Sequence, residues 1–287
     1  MIVDCHTRVW ANTEQLGNGA PTYLRRQGRR KGVSAGTDEH LAAAECVDKS
    51  LVMGFRSVSL GADVPNDFLA DYVSSHGDKM VGIAAVDPTE PDAVDEAAKL
   101  LDGGVFQGLT ISPSSQNFHP SDSRAVRLYE WAERRDVPLF IHQGTHFPMQ
   151  GRMEYARPML LDEVAREYPK LTMVISCLGH PWVAEGISLV GKHPRVFADV
   201  AGLLRRPWQA YNAMVLAHQF NVIDKLLFGS DFPYATAAQA IETVYRLHEV
   251  TQGTNLPGVP RELLRSVVER DAMNVLGIAQ PSIRSAK

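Results

Sequence analysis

The sequence predicts an α/β fold, a single-domain (β/α)8 TIM barrel, and three observations predict it. Short apolar, β-rich runs alternate with helix-length amphipathic segments along the whole chain, the pattern of parallel strands joined by crossover helices. Eight such runs can be counted. No glycine-rich phosphate turn of the kind that opens a doubly wound sheet is present, and eight strand–helix units close naturally on themselves. The 287 residues, 45% of them apolar, suit one barrel-sized core.

The first strand is Ile2–Val9. A polar, glycine-containing stretch from Ala11 to Thr37 follows as an extended loop, with Arg25, Arg26, Arg29, Arg30 and Lys31 in it. Placed over the barrel mouth, it is either a solvated surface loop or a basic lid that attracts acidic substrates. The helix Asp38–Met53 leads to strand two, Phe55–Leu60, and Asn66–His76 leads to strand three, Met80–Val86. Pro91–Asp102 precedes Phe106–Ile111, Ser121–Arg135 precedes Pro138–His142, and Pro158–Tyr168 precedes Leu171–Cys177. Pro181–Lys192 then leads to Val196–Val200 and Pro207–Phe220 to Lys225–Phe228. Thr236–Val250 is the eighth helix, and Pro260–Leu276 is an extra C-terminal one. Proline, serine or aspartate at several of these starts suits first-turn and capping positions. No short repeat or low-complexity linker divides the chain, so residues 1–287 read as one domain.

A net charge of −4 and a pI near 6.2 give no global attraction to nucleic acid or anionic lipid. The three cysteines, Cys5, Cys46 and Cys177, lack metal-finger spacing and suggest no disulfide scaffold, which fits a reducing cytoplasm. The first residues have no basic, apolar leader pattern, and no run reaches membrane-spanning length. The expected partner is therefore a small, anionic molecule, with neither nucleic acid nor membrane. Barrels of this kind often form homodimers, but no stretch is diagnostic of an interface.

Barrel active sites collect where strands end and loops begin. Four polar residues stand at such places: His6 near the end of strand one, His142 ending strand five, His180 after strand six and Asp231 after strand eight. A lone strand-end histidine is more often a hydrogen-bonded structural residue, but four such groups from four strand ends argue for a shared site. Strand alternation points Asp4, His6 and Arg8 into the barrel and Val3, Cys5 and Thr7 outward. Inward polar side chains are costly unless paired, ligated or used. His40, His76, His193, His218 and His248 fall on helices or their ends and read as surface residues.

Taken in order, these stretches resemble the amidohydrolase-related branch of the amidohydrolase superfamily, which includes metal-dependent hydrolases and nonoxidative decarboxylases. The resemblance spans nearly the whole chain. It rests on Ile2-Val3-Asp4-Cys5-His6, Val86-Asp87-Pro88, Phe106-Gln107-Gly108-Leu109, Leu139-Phe140-Ile141-His142, Gly179-His180-Pro181-Trp182, Leu227-Phe228-Gly229-Ser230-Asp231-Phe232-Pro233 and Asn274-Val275-Leu276-Gly277. It implies that His6, His142 and Asp231 ligate a divalent metal, commonly zinc, with His180 beside them to transfer a proton or polarise substrate. Such an ion lowers the pKa of its bound water toward ~7, and Asp231 would serve as general base.

The sequence departs from that family pattern at two points. Arg8 stands where a second histidine of the first strand is usual, and a guanidinium about 4 Å from a dication is repelled by roughly 8 kcal/mol at an effective dielectric near 20. Two other roles suit Arg8: pairing with Asp231 or Asp4, or gripping a substrate carboxylate through parallel hydrogen bonds. Gln107 stands where many relatives carry lysine facing the substrate. His146, in the loop after strand five, lines the pocket or faces solvent, and Trp10 and Trp182 wall the pocket or cap the core. The leading expectation is hydrolysis of a small lactone, ester or amide bearing a carboxylate. Its alternatives are nonoxidative decarboxylation or hydration of an aromatic or unsaturated acid, and a noncatalytic binding barrel that has lost its metal.

Overall fold

The computed structural model describes residues 1–18, 20, 24, 33–144 and 150–278. The five basic residues of the long loop, and His146, lie outside the described residues.

The strands in chain order are β1 (Val3–Thr7), β2 (Lys49–Met53), β3 (Phe55–Ser57), β4 (Ala62–Val64), β5 (Met80–Ala85), β6 (Phe106–Ile111), β7 (Leu139–Ile141), β8 (Met173–Ile175), β9 (Val196–Asp199) and β10 (Leu226–Leu227). The α-helices are α1 (Thr37–Ala43), α2 (Asn66–Ser75), α3 (Ala93–Asp102), α4 (Pro113–Gln116), α5 (Ser123–Arg134), α6 (Leu161–Glu167), α7 (Val183–Lys192), α8 (Pro207–Gln219), α9 (Ala237–Arg246), α10 (Arg261–Glu269) and α11 (Ala272–Leu276). All strands but β3 and β4 form one parallel sheet in the order β1-β2-β5-β6-β7-β8-β9-β10. Its two edges meet. The Cys5 amide donates to the Phe228 carbonyl at 2.9 Å, Asp231 to His6 at 3.1 Å and Arg8 to Phe232 at 3.1 Å, which closes the barrel as predicted.

The second barrel strand is not where the sequence pattern put it. The sequence pattern puts Lys49–Met53 at the end of a helix, yet it pairs with β1 on one side and β5 on the other. A short apolar run carries no period of its own, and here burial on both faces of a parallel sheet selects the strand. The predicted strand Phe55–Leu60 shrinks to β3, which pairs antiparallel with β4 outside the barrel. The predicted C-terminal helix also breaks in two, because Asp271 leaves the helix to cap the next one through the Asn274 amide at 3.1 Å.

Simple alternation also fails in β1. Between Asp4 and Thr7 the register against β2 slips, three steps on β1 matching two on β2. The bulge lets Val3 and Cys5, expected to face outward, pack inside with Leu51, Val81, Phe140 and Val174, while His6 and Arg8 still reach the mouth. Met273 and Leu276 of α11 join that inner cluster and plug one end of the barrel. Only the carboxyl end of the strands is left for a site.

His40 and His193, expected at the surface, are buried. α1 lies against β2, so His40 bonds the Tyr72 hydroxyl at 2.9 Å through Nδ1 and the Ser50 hydroxyl at 3.2 Å through Nε2. Burial holds its pKa down, from 6.5 to about 4. The unfolded chain therefore takes up a proton as pH falls below 6.5, while the folded chain refuses it until about 4. Across that window the fold is expected to lose about 3 kcal/mol, at about 1.4 kcal/mol per pH unit. A His40→Gln variant loses this acid slope in melting temperature against pH; identical slopes in the two proteins would refute the assignment.

Candidate active site

The mouth of the barrel holds a cavity of about 780 Å³, counted out to its opening. Trp10, Leu16, Leu24, Phe55, Leu60 and Phe232 give it apolar walls, and His6, Arg8, Ser115, His142, Asp231 and Tyr234 give it polar groups. β1 supplies His6 and, just past its end, Arg8; His142 follows β7, and Asp231 follows β10. The His6 and His142 rings lie 5.9 Å apart, centre to centre.

Each polar group has a distinct anchor. His6 Nδ1 lies 2.9 Å from Asp199 Oδ2, leaving its other ring nitrogen for the cavity. The other Asp199 oxygen accepts the amides of Cys177 at 2.8 Å and Ala201 at 3.0 Å, which fixes the carboxylate. Burial opposes a charge on His6, but attraction and hydrogen bonding from Asp199, aided by Asp231, outweigh it and raise its pKa. Arg8 Nη2 lies 3.4 Å from His142 Nδ1, and its guanidinium stands 5.3 Å from the centre of the Phe55 ring. Asp231 adopts φ +66°, a left-handed backbone uncommon for an L-residue, and burial raises its carboxyl pKa. Its Oδ2 lies 2.9 Å from Arg205 Nε, an ion contact outside hydrogen-bond geometry, so neither atom has a hydrogen-bond partner among the described residues. Arg205 in turn rests 4.9 Å above the Tyr234 ring.

A family profile described as "Amidohydrolase" matches residues 3–278. The chain belongs to the amidohydrolase family. It is thus a member of an enzyme family, and its likeness to solved structures covers almost its full length. An uncharacterised TIM-barrel protein of Bordetella bronchiseptica is similar at 22% identity and TM-score 0.73, over 96% of this chain and 98% of that one. A probable 2-pyrone-4,6-dicarboxylic acid hydrolase of Acinetobacter baumannii, solved with citric acid bound, is similar at 15% and 0.68, over 96% and 99%. An amidohydrolase of Burkholderia multivorans with bound zinc is similar at 15% and 0.68, over 97% and 100%. Decarboxylases share the fold as well. No curated protein matches the chain in sequence. Among the described residues, no helix is long and apolar enough to cross a membrane.

In this amidohydrolase the mouth gathers His6, Arg8, His142 and Asp231 from the predicted set, together with Trp10. It does not gather His180. Cys177, Leu178 and Gly179 take φ of 53°, 49° and 68° in succession, a left-handed turn that costs the two side-chain-bearing residues roughly 1–2 kcal/mol each. His180 follows that turn, and burial, then the charge of Arg206, lowers its pKa. Gln107 sits near the amino end of β6 and donates to the Gly104 carbonyl at 3.3 Å, so it too is away from the mouth. Trp182 precedes α7, its amide bonded to the Gly179 carbonyl at 2.9 Å, and is not among the lining residues described.

The metal implied by the family does not fit His6, His142 and Asp231 as they stand. A dication among them would meet the Arg8 guanidinium beside His142 and the Arg205 guanidinium beside Asp231. A different group of donor atoms does converge among the described residues: one each from His6, Cys177 and Asp199, all within 4.8 Å of one another. Sequence reasoning passed over Cys177, Asp199, Arg205 and Tyr234. Cys177 ends a predicted strand, the criterion that selected His142, and Asp199 is the last residue but one of another. Arg205 and Tyr234 sit on loops, and only the folded chain shows where they go.

Proposed function

We propose that this amidohydrolase hydrolyses a small lactone, ester or amide that carries a carboxylate. The observation that supports the reading most is Arg8. Of the two roles open to it, the structural pairing is not used: Asp231 faces Arg205, and Asp4 accepts the amides of Ser230 at 2.9 Å and His6 at 3.2 Å. Among the described residues no carboxylate lies within 4.0 Å of the Arg8 guanidinium. Asp231 and Asp199 attract it only from farther off, and a cation in a largely apolar cavity with no carboxylate in direct contact is suited to receive an anion that arrives with the substrate.

With the carboxylate on Arg8, the scissile carbonyl lies among His6, His142 and Asp231. Asp231 accepts a proton from water as the water oxygen bonds to the carbonyl carbon. The bond from that carbon to the leaving oxygen or nitrogen then breaks, and the proton passes from Asp231 to the leaving atom. The two imidazoles stand where the carbonyl oxygen gathers charge, and the apolar walls keep other water away. A panel of lactones, esters, amides and aromatic acids, each with and without a carboxylate, tests the assignment. Ring opening or cleavage restricted to the carboxylate-bearing members is expected. Release of carbon dioxide would replace it with decarboxylation, and no turnover anywhere on the panel would replace it with a binding barrel.

A further inference from the structure

The turn after β8 places a sulfur among charged groups that the hydrolytic reading leaves without a task for it. Cys177, His6 and Asp199 are all buried, and their donor atoms lie within 4.8 Å of one another. The arrangement is held from several sides. Three consecutive left-handed residues, Cys177 to Gly179, aim the chain, and the Cys177 amide is tied to Asp199 Oδ1 at 2.8 Å. A Cβ on Gly202 would stand 3.1 Å from Cys177 Sγ and 3.5 Å from Asp231 Oδ2. The sulfur and that carboxylate oxygen thus flank a glycine at φ +61°, the oxygen being held by the Arg205 guanidinium at 2.9 Å.

Sulfur, imidazole nitrogen and carboxylate oxygen in a buried corner form a donor set for zinc-class ions. Nitrogen and oxygen ligands on tetrahedral zinc stand about 3.3 Å apart. His6 Nδ1 and Asp199 Oδ2 stand 2.9 Å apart around a shared proton, so loss of the proton and a shift of a few tenths of an ångström admit the ion. The Asp199 oxygen facing away is already satisfied by two backbone amides, the outer-shell support such ligands need.

We infer that His6, Cys177 and Asp199 bind a thiophilic divalent ion of the zinc class, in place of the set that includes His142 and Asp231. The inference does not rest on the hydrolase reading, and its test needs no substrate. Purified protein is dialysed against zinc or cobalt(II) salts. Metal content is then measured, the near-ultraviolet sulfur-to-cobalt absorption is recorded, and circular dichroism checks the fold of each variant. The wild type is expected to hold one ion per chain and to show the thiolate band. Cys177→Ser is expected to lose the band and to bind zinc about 100-fold more weakly, and His142→Ala to keep both. Absence of bound ion in the wild type would overturn the inference, as would a cobalt-loaded wild type without the band. Retention by Cys177→Ser with loss by His142→Ala would do the same. Should Cys177→Ser not fold, the wild-type band alone decides.

Discussion

Asp231→Asn is expected to lower kcat on a carboxylate-bearing lactone by about 10²- to 10⁴-fold, the range a positioned general base supplies. KM is expected to change little, since the residue acts on water and not on the carboxylate. Asparagine is the informative replacement. It keeps the size of the side chain and tolerates the left-handed backbone at this position (φ +66°), so the turn after β10 survives while the base is lost. Arg205 then faces a neutral amide, and a small fall in melting temperature is expected alongside the kinetic loss. A folded variant with more than a tenth of wild-type kcat would remove Asp231 from the role.

Arg8→Lys is expected to cost about 100-fold or more in kcat/KM, mostly through KM, although the charge is preserved. A planar guanidinium offers a carboxylate two parallel hydrogen bonds, whereas an ammonium on a flexible stem offers a point charge. Losing one charge-assisted bond and the preorganised fork is worth about 3 kcal/mol, or two decades in rate. The methyl ester of the same substrate separates recognition from general damage. The wild type should handle the ester as poorly as the variant does. If Arg8→Lys slowed the ester and the free acid by equal factors, the carboxylate contact would be disproved.

How far the sequence is legible depends on whether a feature is local. The alternation of apolar runs and amphipathic segments is local, and it foretells the closed eight-stranded sheet. His142 is legible because it ends a readable strand, and Asp231 because it closely follows one. Lys49–Met53 was misread because five apolar-leaning residues after a helix carry no period, and only pairing with β1 and β5 settles them. The bulge in β1 was equally invisible: it depends on register against a neighbour more than forty residues away. His180 is singled out by its place after strand six and by the family resemblance. The left-handed turn at Cys177, Leu178 and Gly179 is not announced by any pattern in Cys177-Leu178-Gly179-His180. The pairing of Arg205 with Asp231 links a loop after β9 to one after β10, a matter of tertiary geometry alone.

The helix that plugs the barrel comes from the opposite end of the chain to the strand it covers, with Met273 and Leu276 packed beside Val3 and Cys5. On the ribosome, the first strand must therefore wait with its oily side bare until almost everything else has emerged. That strand also bears His6 and Arg8. A nascent chain stalled short of Met273 is expected to be sticky, because the apolar side chains of Val3 and Cys5 stay uncovered.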